Sequence, residues 1–345
     1  MAYTTINKST DYFNTKLYTG TGSSQVITGV GFQPDLIWTA TRNESEIRPL
    51  NDSVNGINNY LRSNATDTLE TSGSNITAQS SDGYTVGTEN RFNQSSNTFV
   101  SWNWKANGQG SANTDGTVNS TYTSASSTSG FSIVKWTHTT SGNYTVGHGL
   151  NATPKMIIVK TTNATTNWGV YHSGLTVGKR VILNTTSAET TGYWGANSWT
   201  NNTFSIGSGR DDNGKTMIAY CFAEKTGFSK FGKYVGNGNN DGSFTYTGFA
   251  PSFMMTKRID SGNSWYMYSR KTSTTGGNLT DKYLEANENS AEATTTGEYG
   301  FDFLSNGFKA TGTGGGTNAN NGNYIFMAFA EAPLVGSNNQ PANAR

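Results

Sequence analysis

Apolar and aromatic residues fall along this chain in short bursts, each bounded by glycine, asparagine, threonine or proline. Bursts such as "DLIWTAT", "KMIIVKT" and "SFMMTKR" have the length of strands and are rich in apolar residues. Three longer ones, "TFVSWNWKA", "TMIAYCFAE" and "YIFMAFAEA", are apolar on both faces, which predicts strands at the centre of their sheets. Runs of the usual helix formers are almost absent. The pattern predicts an all-β protein.

The bursts also repeat. Pro34, Pro154 and Pro251 each stand between a turn and a strand, so three of the six prolines share one register. Proline has no N–H to give to a ladder, and the place just before a strand suits it. Phe13, Phe131 and Phe228 open an earlier strand. The differences 251 − 154 and 228 − 131 are both 97 residues. Further on, "YLRSNATDTLE", "VILNTTSAE" and "YLEANENSAE" put Glu70, Glu189 and Glu292 in one register, followed by "DGYTVG", "NTFSIG" and "NGFKATG". Two units carry an aromatic pair, "NWGVYH" and "SWYMYS", where the first has "ESEIRPLNDS".

Each unit reads as about seven short strands broken by turns, the pattern of an antiparallel β-sandwich of jelly-roll or lectin-like type. We therefore expect three tandem sandwiches at 1–106, 131–224 and 228–335. Residues 107–130, rich in Gly, Ser, Thr and Asn, read as a flexible or surface-draped linker, and 336–345 as a C-terminal tail.

Composition narrows the class. Only 14% of residues are charged and the net charge is +1, with no basic cluster to neutralise phosphates, so nucleic acid is not an expected partner. No window is apolar enough to span a membrane, and the start "MAYTTINKSTDYF" lacks a signal-peptide pattern, which predicts synthesis in the cytoplasm without export. Cys221, the single cysteine, lies inside an apolar burst and reads as a buried small hydrophobe.

Candidate chemistry is sparse. His138, His148 and His172 stand in turns or strands without an acid and nucleophile beside them. "NGNNDG", from Asn237 to Gly242, starts like a calcium loop but has Gly248 where the last acid belongs, so it reads as a hairpin turn. "GTGGGTNANNG", from Gly312, lacks the lysine of a phosphate loop and reads as a mobile turn. The repeated glutamates come one per unit, not as the close pair that glycoside hydrolysis needs. No catalytic residue, cofactor or metal ligand is expected. If the chain contacts a glycan, the place to look is "TTGYWGANSWTNN", with Tyr193, Trp194 and Trp199, and with Trp168 and His172 nearby. Ring faces cover sugar C–H surfaces while Asn and Thr satisfy hydroxyls. The rival reading folds these aromatics back to cap the core.

The repeated features "YTGTGSSQ", "GFQPDLIW", "GHGLNATPKMIIVK", "YCFAEKTGFSKFGKYVGNG", "DFLSNGFKATG" and "FAEAPLVGSNN" resemble a repeated β-domain of structural proteins in tailed marine bacteriophages. The resemblance implies a non-enzymatic virion component, often a tail fibre, tail spike or lectin-like adhesion part. Its implied partners are other virion proteins, further copies of itself (a trimer if it is a fibre) and a host surface glycan. A capsid decoration protein that stabilises the shell is the alternative, and a glycan depolymerase a more distant one.

Overall fold

The structure, a computed structural model, describes residues 4–139, 142–194, 199–210, 213–295, 297–333 and 335. The tail expected at 336–345 lies outside them. Strands make up 44% and helices 2%, in several antiparallel sheets, so the fold is all-β.

Three large sheets follow one plan. The first runs, in spatial order, Phe13–Thr19, Thr98–Trp104, Leu36–Thr41, Pro49–Asp52, Asn59–Arg62 and Glu70–Thr71. The second runs Tyr122–Ser126, Phe131–Thr137, Thr216–Phe222, Met156–Thr161, Gly169–His172, Lys179–Ile182 and Thr190–Thr191. The third runs Ser229–Val235, Asn323–Pro333, Phe249–Arg258, Trp265–Ser269, Lys282–Glu285 and Ala293–Thr294. In each, the long apolar strand that closes the unit is paired on both sides, as its lack of alternation predicts.

A smaller sheet packs on the outer face of each large one, giving β-sandwich-like layering. Tyr144–Gly147 and Thr203–Ile206 form it in the second unit, where Val146, Phe204 and Ile206 share a buried cluster with Trp136, Ile157 and Met217. Gln25–Ile27, Gly83–Val86 and Ile76–Ser80 form its counterpart in the first unit. Phe244–Tyr246, Gly307–Ala310, Phe301–Leu304 and Leu279–Thr280 do so in the third.

The inner faces of the three large sheets meet in one shared cluster. Trp104, Phe222 and Phe329 hold the same rung of their closing strands, opposite Leu36, Met156 and Phe253. Their rings touch one another edge-on, with centroids 6.3, 5.7 and 6.2 Å apart. Three equivalent aromatics therefore define a pseudo-threefold axis. The junctions repeat in the same cyclic sense. Leu69 N–H donates to Thr162 O, Glu189 N–H to Ile259 O and Glu292 N–H to Arg42 O, at 2.7, 2.8 and 2.7 Å. Trp168 donates its indole N–H to Arg62 O at 2.8 Å and Trp265 to Ile182 O at 2.9 Å. At the third junction the buried Arg48 takes the tryptophan's place and donates to Glu285 O at 3.1 Å. The segment that lacks the aromatic pair thus closes the ring with a guanidinium.

Several expectations need correction. Pro34 and Pro154 precede their strands, but Pro251 lies inside Phe249–Arg258, paired with Ala330 between two register shifts, where the broken ladder tolerates a missing N–H. The ladder aligns Ser229, not Phe228, with Phe13 and Phe131. Residues 107–130 are not a loose linker throughout: Tyr122–Ser126 joins the second large sheet, and Val118 bridges to Val146. "NGNNDG" is no hairpin, because it leads from a strand of the large sheet to one of the small sheet. The glycine-rich turn after Gly312 is pinned rather than mobile: buried Asn318 donates to Asn237 Oδ1, Asn239 O and Gly312 O.

Candidate functional site

The loop after Thr190–Thr191 folds back over the outer face of the second large sheet. Tyr193 and Trp194 are buried at 8% and 7% exposure, whereas Trp199 and Tyr171 keep part of their surface in solvent. The Tyr171 and Trp199 rings lie 4.4 Å apart, and Trp194 sits 5.9 Å from the first and 5.6 Å from the second. Gly195 to Ser198 of this loop lie outside the described residues.

Below it, Tyr193 is held between two guanidinium groups, Arg180 at 4.4 Å and Arg210 at 4.6 Å from the ring centre. Arg210 also donates to the Tyr193 hydroxyl and to Thr161 Oγ1. The approach requires Gly169, where a Cβ would come within 1.4 Å of that hydroxyl. The third unit has Tyr266 on the rung of Gly169, covered by Tyr299 and Tyr283 instead.

The five residues named from sequence therefore do not form one site. Trp168 belongs to the central cluster and His172 to a junction, on the opposite sheet face from Tyr171. His172 donates through Nε2 to Phe326 O at 3.0 Å and accepts at Nδ1 from Gly174 N–H at 2.9 Å, and burial pushes it down to about 4. Tyr193 and Trp194 act as the cap that the rival reading describes. Trp199 remains accessible and gains Tyr171 as a neighbour. The indole N–H groups of Trp194 and Trp199 are buried and without a partner among the described residues, as are those of Trp38, Trp102 and Trp104 in the interior. The patch thus offers ring faces, and the exposed Asn201, two residues on from Trp199, is hydrogen-bonded to the half-buried Thr153 at 3.1 Å.

The other histidines are also tied into the fold. His148 Nε2 meets Thr200 O at 3.3 Å and Nδ1 accepts from Leu150 N–H, and burial pushes the ring down to about 4. His138 stacks on Tyr144 at 4.4 Å. Burial raises the Cys221 thiol.

Sequence reasoning kept the acids apart, one per unit, but the second junction brings Glu189 and Asp260 to one cleft of about 250 Å³ with Lys233, Thr176 and Asn323. Thr176 donates its N–H and hydroxyl to Glu189. Burial would raise Asp260, but hydrogen bonds from Arg258 and Asn323 outweigh it and hold the carboxyl below its usual range. Asp260 is therefore not the raised-pKa acid of a glycosidase. Glu70 pairs with Arg62 on the neighbouring strand at 2.5 Å, and Glu292 with Arg42 across the third junction at 2.7 Å. The ladders and junction bonds place Leu69, not Glu70, with Glu189 and Glu292.

Among the described residues no group of three or more His, Cys, Asp or Glu could hold a metal ion. No helix is long and apolar enough to cross a membrane. No curated protein matches the chain, and no solved structure does. Residues 8–333 match a family described as a domain of unknown function (DUF7483), and the chain belongs to that family.

Proposed function

We propose that this protein is a non-enzymatic structural component of a bacteriophage virion, of tail-fibre or tail-spike type, that takes part in attachment to the host surface. Each unit is read as a jelly-roll or lectin-like sandwich, and the three together as a rigid scaffold. The observation that carries the attachment reading is the partly exposed Tyr171–Trp199 pair on an outer face, with the exposed Asn201 two residues on from Trp199 and hydrogen-bonded to Thr153. Ring faces next to small polar groups suit the C–H faces and hydroxyls of a neutral glycan. Linked copies on a particle gain avidity on the order of 10²–10⁴ over one weak contact.

The pseudo-threefold ring changes the expected assembly. One chain already places three units around an axis, so it stands where three chains of a fibre would. Light scattering on purified protein should give the mass of one chain, 37.0 kDa. A three-chain mass would restore the homotrimer. The same ring favours a second reading, a capsid decoration protein seated at a threefold position of the shell. Quantitative mass spectrometry of purified particles separates the two. Tens of copies with labelling at the tail support attachment, whereas hundreds on the head would move the protein to the shell.

A further inference from the structure

The three small sheets have equivalent outer edge strands, which the chain covers in the second unit and leaves uncovered in the first, at the exposed Val26, and in the third. In the second unit the edge is Tyr144–Gly147, and a stretch of residues 116–118 lies along it. Val118 N–H donates to Thr145 O at 3.0 Å, and Thr145 N–H donates to Thr117 Oγ1 at 2.9 Å. The backbone groups of Thr145 thus point away from the sheet and are met by an extended segment of the same chain.

In the third unit the same edge is Phe244–Tyr246. Thr145 pairs with Ser205 next to Phe204, and Phe244 pairs with Lys309 next to Phe308, so Phe244 is the counterpart of Thr145. Its N–H and C=O face the open side, and no described residue meets them. Phe244 and Tyr246 stand on one sheet face at 48% and 53% exposure. Phe244 lies against Gly307, where a Cβ would be 2.7 Å from two ring atoms. No charge or proline guards the strand, although such gatekeepers are usual on exposed edges.

We propose that the edge Phe244–Tyr246 is a docking strand for an extended segment of a partner polypeptide, which adds to the small sheet as residues 116–118 add to its equivalent. Backbone bonds to Phe244 fix the added segment, and Phe244 and Tyr246 select apolar side chains at alternate positions. Lys309 beside Phe244 is paired with Asp241 and stands opposite Asp302, so the face offers no unpaired cation and the added segment is read as uncharged. This surface is separate from the Tyr171–Trp199 patch and does not depend on the attachment reading.

The test uses full-length protein, backbone NMR and two capped probe peptides, Thr-Val-Thr-Phe-Thr-Val and the same sequence N-methylated at alternate residues. The plain peptide should shift the amides of 243–246 in a saturable way. The N-methylated one should bind at least tenfold more weakly, because it lacks the edge hydrogen bonds. Phe244→Lys, an exposed change, should abolish the shift, while Val26→Lys on the first unit's edge should leave it intact. Equal binding of both peptides, shifts at Val26 instead, or no shift at all would overturn the proposal. So would the same shifts produced by cellohexaose without peptide binding, or by raising the protein's own concentration.

Discussion

The inner and outer faces of the large sheets follow different rules. Inside, the three units are near copies: Trp104, Phe222 and Phe329 meet at the axis, and each junction repeats the same backbone hydrogen bond. Outside, the units diverge. The first covers its outer face with the short helix Asn90–Asn93, whose Phe92 packs on Tyr60. The second uses Tyr193, Trp194 and Trp199, and the third a group of tyrosines. A closed ring constrains its interior three times over and leaves each exterior free to acquire its own surface. On the attachment reading proposed above, binding would belong to the outer faces, and stability to the axis.

That contrast can be broken first at the axis. Trp104→Ala removes a ring that touches both partners and should cost about 3–5 kcal/mol in denaturant unfolding. A loss below 1 kcal/mol would mean that the three inner faces do not depend on one another. Arg48→Ala tests the odd junction. It strips donors from Glu285 O, Glu46 O and Ser290 O inside the interface, and should cost about 2–3 kcal/mol. Trp168→Phe, which loses the indole N–H to Arg62 O and Ala65 O and part of a buried ring, should cost about 1–2 kcal/mol.

The pH dependence sharpens the same comparison. Burial pushes Lys160 and Lys257 down to about 8, at the first and second junctions, where they donate to Thr66 O and Thr186 O. Their folded pKa lies below the ordinary lysine value of 10.5, so above pH 8 the unfolded chain holds more protons and stability rises with pH. The rise should stop near pH 10, because buried tyrosines such as Tyr268 resist ionisation in the fold and ionise freely once unfolded. Lys257→Met should flatten the slope between pH 8 and 10 by up to about 1.4 kcal/mol per pH unit. An unchanged slope would show that this ammonium is not desolvated at the junction.

The smallest stability effect belongs to the outer patch. Trp199→Ala should change stability by less than about 1 kcal/mol. Adsorption to host-surface glycan should nevertheless weaken severalfold, and equal adsorption would remove the patch from the attachment reading.

The sequence made the strands and their threefold register legible, because proline and glycine leave a mark wherever a turn must precede a strand. Gly31, Gly149 and Gly248, at φ 91°, 68° and 83°, all stand ahead of the repeated prolines. Hydrophobic pattern shows that a face is buried but not what buries it. The shared cluster and the meeting of Trp168 with Arg62 O were therefore hidden, as was Arg48 in a tryptophan's place. The polar stretch 107–130 looked loose because its order comes from edge pairing rather than from apolar residues. Tyr171 could have been chosen over Trp168 and His172, since alternation puts it on the other face of their strand. Phe244 and Tyr246 left a similar trace, two aromatics one residue apart in a short strand.

The closed ring is tested most directly by native-state hydrogen exchange at three amides, Leu69, Glu189 and Glu292, which donate across the three junctions. The ring predicts that all three exchange as slowly as the amides of the closing strands Thr98–Trp104, Thr216–Phe222 and Asn323–Pro333, because opening any junction exposes the shared core. Rapid exchange at any one of them, while those strands stay protected, would contradict it.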